Sequence, residues 1–233
     1  MEILDRGNKY SNILGILSFI VTSIGLYMVF NYAPTEKVMG HIQRLFYFHV
    51  AAAWIAFFAF FVVFIASILY LKSRNTIWDI LGLASAEIGV VFTTIVLITG
   101  PIWARPIWNA WWTWDPRLTT TLILWFIYIA YIIIRASADE SEKKARFAAV
   151  FGIVGFIDVP IVFMSIRWWR TIHPQVLEGG SMNLAPPMLH TLLVSIAAFT
   201  LLYFYLLARR IKVEILGNKV KEMKDNLRGY QYN

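Results

Sequence analysis

Apolar residues along this chain gather into six long blocks separated by short polar stretches, and inside each block polar residues recur too rarely to mark a solvated helix face. The blocks lie at about 12–32, 46–71, 80–100, 118–135, 147–166 and 187–208. A helix needs roughly 20 such residues to cross a hydrocarbon core of about 30 Å. The pattern therefore predicts an all-α membrane protein with six transmembrane helices. Connections between the blocks are short, so residues 1–233 read as one polytopic domain with no separate soluble unit.

Composition supports this, with 59% of residues hydrophobic and only 15% charged. The first block is longer than a signal-peptide core and has no small-residue cleavage site, so the first helix is expected to be retained. Cysteine is absent, which excludes disulfides, thiolate metal sites and a cysteine nucleophile. No Gly-rich phosphate loop or Walker pattern occurs, so the chain reads as a non-enzyme and any ATPase activity belongs to a separate chain.

The formal charge of +7 carries a topology rather than a nucleic-acid signal. With the N-terminus in the cytoplasm, 15 basic residues fall inside: Arg6, Lys9, Lys72, Arg74, Arg135, Lys143, Lys144, Arg146 and the seven of the tail. The outer side holds the other six: Lys37, Arg44, Arg105, Arg117, Arg167 and Arg170. This asymmetry obeys the positive-inside rule and predicts both termini in the cytoplasm. The tail "ARRIKVEILGNKVKEMKDNLRGYQYN" extends the last helix inward; it is read as a solvated, orientation-setting end, with contact to anionic lipid or a partner as the alternative.

The outer connections are unusual. "WARPIWNAWWTWDPRL", residues 103 to 118, holds Trp103, Trp108, Trp111, Trp112 and Trp114, and Trp168 and Trp169 fall on the same side. Isolated Trp residues anchor helix ends at headgroup depth, which accounts for Trp168 and Trp169 but not for five in one segment. Trp108, Trp111 and Trp112 have the spacing that places them on one face of a short helix. A platform for a flat apolar ligand fits this pattern better. Asp115 precedes Pro116 at a span start, where capping is the expected role. Arg117 projects to the same surface and suits an anionic ligand group.

All four histidines, His41, His49, His173 and His190, fall on the outer side. His49 and His190 each lie about one turn inside a span, about 5 Å below the helix end at 1.5 Å per residue. A ring at that depth is either a neutral histidine satisfied locally or a functional group with a partner. Two imidazoles at equal depth under an indole platform suggest the axial ligands of a haem iron, with Arg44, Arg105 or Arg117 meeting the propionates. His41 and His173 sit in loops and are secondary. Glu87 and Asp158 fall within spans. Asp158, beside Pro160, is read as satisfying backbone donors or pairing with another helix; a proton path is the alternative.

The stretches "QRLFYFHVAAAW", "SAEIGVVFTTIVLITGPIWARPIWNAWWTWDPRLTT", "SIRWWRTIHP" and "PPMLHTLL", in this order on six spans, resemble the CcmC family of haem-handling membrane subunits of cytochrome c maturation, within the tryptophan-rich WWD-domain group. The resemblance implies that His49 and His190 match the family's outward axial histidines and that residues 101–118 match its haem platform. The family usually has Gly-Thr before the paired Trp, where this chain has Asn109 and Ala110. It further implies haem b, held non-covalently and transiently at the outer face of the cell (inner/plasma) membrane. That haem is handed to a membrane-tethered, CcmE-like haem chaperone. A CcmA-like ABC-type ATPase, a CcmB-like membrane subunit and a small CcmD-like subunit complete the implied partners, besides membrane lipids; no nucleic acid is expected.

Two other functions compete with haem presentation. A b-type electron-transfer subunit would bury its haems deep between histidines, and a permease would line a path with polar residues where only Glu87 and Asp158 are available. The topology is testable because the chain has no cysteine of its own. Single cysteines placed within 137–146 should react with a membrane-impermeant thiol reagent only from the cytoplasmic side; labelling from outside would invert the orientation and turn the Trp segment inward.

Overall fold

A computed structural model describes residues 2–137, 141–171, 173 and 184–231. Seven α-helices make up its body: α1 (Glu2–Tyr27), α2 (Leu45–Ser73), α3 (Thr76–Trp108), α4 (Pro116–Ser137), α5 (Ser141–Phe156), α6 (Asp158–Trp168) and α7 (Pro186–Gln231). A π-helical turn, Met28–Tyr32, extends α1, and a 3₁₀ turn, His41–Arg44, leads into α2. Six stretches are long and apolar enough to cross a membrane, because α5 and α6 together form one broken span, Glu142–Trp168.

Three helix ends differ from the expected spans. α3 runs on through Trp108 with Pro101 and Pro106 inside it, so two of the Trp residues expected in a loop belong to a helix. The fifth span breaks at Ile157, whose N–H bonds back to the Val154 carbonyl at 3.1 Å in a tightened turn. Pro160 explains the break, since it has no N–H to offer the Phe156 carbonyl four residues earlier. α7 carries on as a single helix of 46 residues well past the expected membrane exit.

α2 and α3 form the centre. They meet where small residues leave room: Ser85 lies buried beside Ala59, and a Cβ at Gly82 would lie 3.7 Å from Ala66 Cβ. Lipid tails are as apolar as any side chain, so close van der Waals packing rather than the hydrophobic effect holds such helices together. Polar bonds add to it. Ser85 Oγ donates to the Ala59 carbonyl at 2.8 Å and lies 2.7 Å from the Tyr203 hydroxyl of α7, which donates in turn. Trp125 of α4 donates its indole N–H to Thr94 of α3 at 2.8 Å.

The membrane carboxylates are structural in part. Glu87 meets the Arg210 guanidinium through both carboxylate oxygens, one contact at 2.8 Å, and Arg210 also reaches Glu214 at 2.7 Å. Asp79 pairs with Arg135 at 2.7 Å, tying α3 to α4. Asp158 Oδ2 is buried with no hydrogen-bond partner among the described residues, so the expected bond to freed backbone donors is not made by that oxygen.

Gly89 lets α3 approach the ring of Phe60, which stacks on Tyr128 at a centroid separation of 3.7 Å. A Cβ at Gly89 would lie 2.5 Å from Phe60 Cε1, and the stacked Tyr128 blocks the ring's retreat. Gly89→Ala should therefore destabilise the bundle by about 1–3 kcal/mol, as overpacked cores do. Gly217, with nothing within 4 Å of its would-be Cβ, is the control: Gly217→Ala should stabilise its helix by about 0.5–1 kcal/mol. Thermal unfolding in detergent reads both, and an unchanged midpoint for Gly89→Ala would overturn this account of the centre.

Candidate functional site

The end of α3 builds the site. Asn109 caps that helix in the left-handed region, φ 54° and ψ 26°, donating its N–H to the Arg105 carbonyl at 3.0 Å. Asn tolerates this conformation better than most residues, so Asn109 makes the reversal where the resembled family usually has Gly. Arg105 braces it: the guanidinium bonds the Asn109 side chain and lies over the Trp111 ring, 6.0 Å from its centroid.

The reversal changes how the tryptophans are arranged. Trp108 ends α3, whereas Trp111 and Trp112 follow the turn, so the expected single helix face does not form. All three nevertheless line one cleft together with Trp103. Trp103 is only 5% exposed, packed edge-on against Phe46 and Trp108 and 6.0 Å from the His49 ring. Trp111 is 60% exposed at the mouth. Trp114, 76% exposed, contacts Trp112 edge to face and stands outside the lining. Trp168 and Trp169 stack edge to face on each other, both exposed, as end anchors do.

Asp115 caps α4 as its sequence context predicts: Oδ1 accepts the Arg117 N–H at 2.9 Å and the carbonyl accepts the Thr119 N–H at 2.9 Å. Arg117 reaches across to α6, donating to the Val162 and Phe163 carbonyls at 3.3 and 3.5 Å, and it borders the cleft. Of the three arginines expected to meet an anion, it is the one in the lining. Arg105 is engaged at the turn, and Arg44 lies elsewhere, over the Phe30 ring and beside His41.

His49 is buried on α2 against α3. Its Nδ1 lies 2.8 Å from Thr99 Oγ1, and the Thr99 hydroxyl donates to the Ile95 carbonyl at 2.7 Å. With its proton committed to Ile95, Thr99 accepts from His49, so the ring carries its proton on Nδ1 and keeps an unprotonated Nε2. An imidazole held this way by an outer partner is arranged as a metal ligand. Gly100 leaves room for the ring, since a Cβ there would lie 3.4 Å from His49 Cε1.

Helices α2, α3, α4 and α6 and the Trp segment supply the walls, and His173 borders the cleft as well. His190 does not. It lies on the α1 side of α7, exposed, with Nδ1 3.2 Å from the Tyr32 hydroxyl and the two rings stacked at 6.5 Å. Equal depth therefore does not bring His49 and His190 to one space: His49 turns to α3 and His190 to α1. The cleft holds a cavity of about 80 Å³, and the gap reaches about 940 Å³ when the open mouth is counted.

Thr99 and Gly100 were not singled out by the sequence pattern, since a threonine and a glycine in an apolar span carry no signal without the facing helix. His173 was visible only as a loop residue. The heme exporter protein C family model matches residues 2–226. Heme exporter protein C of Bradyrhizobium diazoefficiens is 36% identical over 213 residues, which cover 91% of this chain and 81% of its own. The protein of that name from Escherichia coli strain K12 is 33% identical over 203 residues, covering 87% and 82%. A Marchantia polymorpha protein, described as a putative cytochrome c biosynthesis ccmC-like mitochondrial protein, is 31% identical over 207 residues, covering 87% and 88%. Six membrane-length helices and a match along nearly the whole chain place this protein in the heme exporter protein C (CcmC) family.

Proposed function

We propose that this chain holds haem b as cargo, non-covalently and transiently, at the outer face of the cell membrane and presents it to a membrane-tethered, CcmE-like chaperone for cytochrome c maturation. ATP hydrolysis belongs to a CcmA-like partner chain, and CcmB-like and CcmD-like subunits complete the assembly. The observation that carries the reading is the His49 ring, held through Nδ1 by Thr99, in a cleft shared with four tryptophans, Arg117 and His173. Haem is flat and apolar on its faces, matching indole walls; its iron takes imidazole nitrogen; its carboxylates suit the Arg117 fork. The cleft opens at the Trp segment, the side from which an acceptor can reach the cargo. Transmembrane electron transfer fits less well, because all four histidines occupy the Trp end of the bundle and none serves the other end.

The cleft supports His49 and His173 as the axial pair, in place of the His49 and His190 pair that depth suggested. Purified His49→Gly and His173→Gly proteins should each lose low-spin haem and regain it when imidazole fills the vacated position, while His190→Gly keeps a wild-type spectrum. Loss of low-spin haem in His190→Gly with retention in His173→Gly would restore the depth-matched pair. Wild-type protein that is folded yet takes up no haem would overturn the function itself.

Thr99 provides an independent check. Thr99→Val keeps the shape but removes the acceptor that fixes the His49 tautomer, so haem affinity should fall about tenfold or more, as for other second partners of metal-bound histidines. Thr99→Ser should retain most of it. Equal affinity in both variants, measured by haem titration, would show that the Thr99 bond does not prepare the ligand.

A further inference from the structure

The C-terminal part of α7 leaves the bundle and carries a pattern that haem handling does not use. Past Arg210, which still reaches Glu87 on α3, apolar residues recur at Val213, Leu216, Val220, Met223 and Leu227, in a repeating three-then-four spacing. All five are exposed, Met223 at 57% and Leu227 at 66%. On a straight helix these are the a and d positions of a heptad repeat, the seam along which a second helix packs. The e and g positions beside the seam hold Lys212, Gly217, Lys219, Lys224 and Asn226, with no acid among them. The acids Glu214, Glu222 and Asp225 fall at b, c and f, away from it.

The stripe runs on past the bundle. α7 is one unbroken helix from Pro186 to Gln231, and Arg210 meets Glu87 of the third span. At 1.5 Å per residue Val220 then stands about 15 Å, and Leu227 about 25 Å, beyond Arg210 along the helix axis. Gly217 adds a second observation. It lies within this helix at an e position and has open space where a Cβ would be, so nothing in the bundle accounts for the roughly 0.5–1 kcal/mol that Gly costs there relative to Ala. At the edge of a seam, a missing side chain admits a second backbone.

We propose that the stripe from Val213 to Leu227 is a coiled-coil seam that docks an acidic amphipathic helix of a partner protein, one with apolar residues at its own a and d positions and Asp or Glu at the facing e and g positions. Charge selects this occupant. Two copies of this chain in one membrane would pair in parallel, setting Lys219 at g against Lys224 at the e position of the other copy, and like charges across a seam oppose association. An acidic helix reverses the sign of the same contacts.

The test uses full-length protein in nanodiscs and two synthetic four-heptad peptides with the same apolar seam, one with Glu and one with Lys at every e and g position. The Glu peptide should bind at least about tenfold more tightly, and salt should weaken it, as expected for screened pairs at a rim. Val220→Asp with Met223→Asp, both on the exposed stripe, should abolish that preference while leaving the haem spectrum and the unfolding midpoint unchanged. Failure of the Glu peptide to bind, or equal binding of both peptides, overturns the proposal. Efficient disulfide-linked dimers from Val220→Cys in native membranes would assign the stripe to a second copy. Quenching of Met223→Trp by brominated anionic lipid would assign it to the bilayer surface. Either result also overturns the proposal, and none of these outcomes bears on the haem cleft.

Discussion

The close approach of α2 and α3 is set where small residues meet the facing helix, Gly82 against Ala66, Ser85 against Ala59 and Gly89 against Phe60, and the Trp end of the molecule inherits it. Only helices this close bring His49 Nδ1 within 2.8 Å of Thr99 Oγ1. In lipid such contacts have no solvent to drive them, so the geometry depends on steric fit and on the few polar bonds that cross it. Ser85, bonded to both the Ala59 carbonyl and the Tyr203 hydroxyl, ties α2, α3 and α7 at one point. A bulkier residue along this line would separate the helices and take the histidine from its hydroxyl partner before it disturbed any group that meets cargo.

A second constraint lies in what each polar group at the site has already committed. Thr99 gives its proton to Ile95 and must accept from His49; Asp115 spends one oxygen and its carbonyl on the start of α4. Arg117 donates to two carbonyls of α6. Since a guanidinium has five donors in a planar fork, this anchorage orients Arg117 without exhausting it. The same side chain therefore ties α4 to α6 and faces the cleft with positive charge.

The six spans were legible in the sequence because a membrane enforces them: a run of about 20 apolar residues has few other uses. The Asp115 cap was legible too, since Asp-Pro at a span start has a local cause. What failed to show lies in relations between helices. Hydropathy ends the third span near Gly100, but Pro101 and Pro106 do not end the helix, and α3 carries Trp103 and Trp108 with it. Depth along a helix can be counted from residue numbers, whereas the direction a side chain faces depends on which neighbour packs where. His49 and His190 each lie four residues into their helices, yet His49 turns from α2 toward α3 and His190 from α7 toward the end of α1, for that reason.

The form of the cleft bears on the proposed function, which requires the cargo to be released after it is bound. Burial of apolar surface is worth roughly 25 cal/mol per Å², so enclosing both faces of a porphyrin would hold it tightly and hide it from an acceptor. The cleft is open on the side of the Trp segment rather than closed over. Of the four lining tryptophans, Trp103 is locked into the bundle and Trp111 stands 60% exposed at the mouth on a turn braced by Arg105. One wall is therefore rigid and holds the histidine in position, and the other is carried by a seven-residue connection between α3 and α4 that ends at the cap, 109–115. In the proposed function, orientation comes from the rigid wall through His49 and Arg117, and access depends on the connection. Because these two proposed roles sit on separate elements, a handover of this kind lets the turn change shape while the His49 to Thr99 bond stays intact.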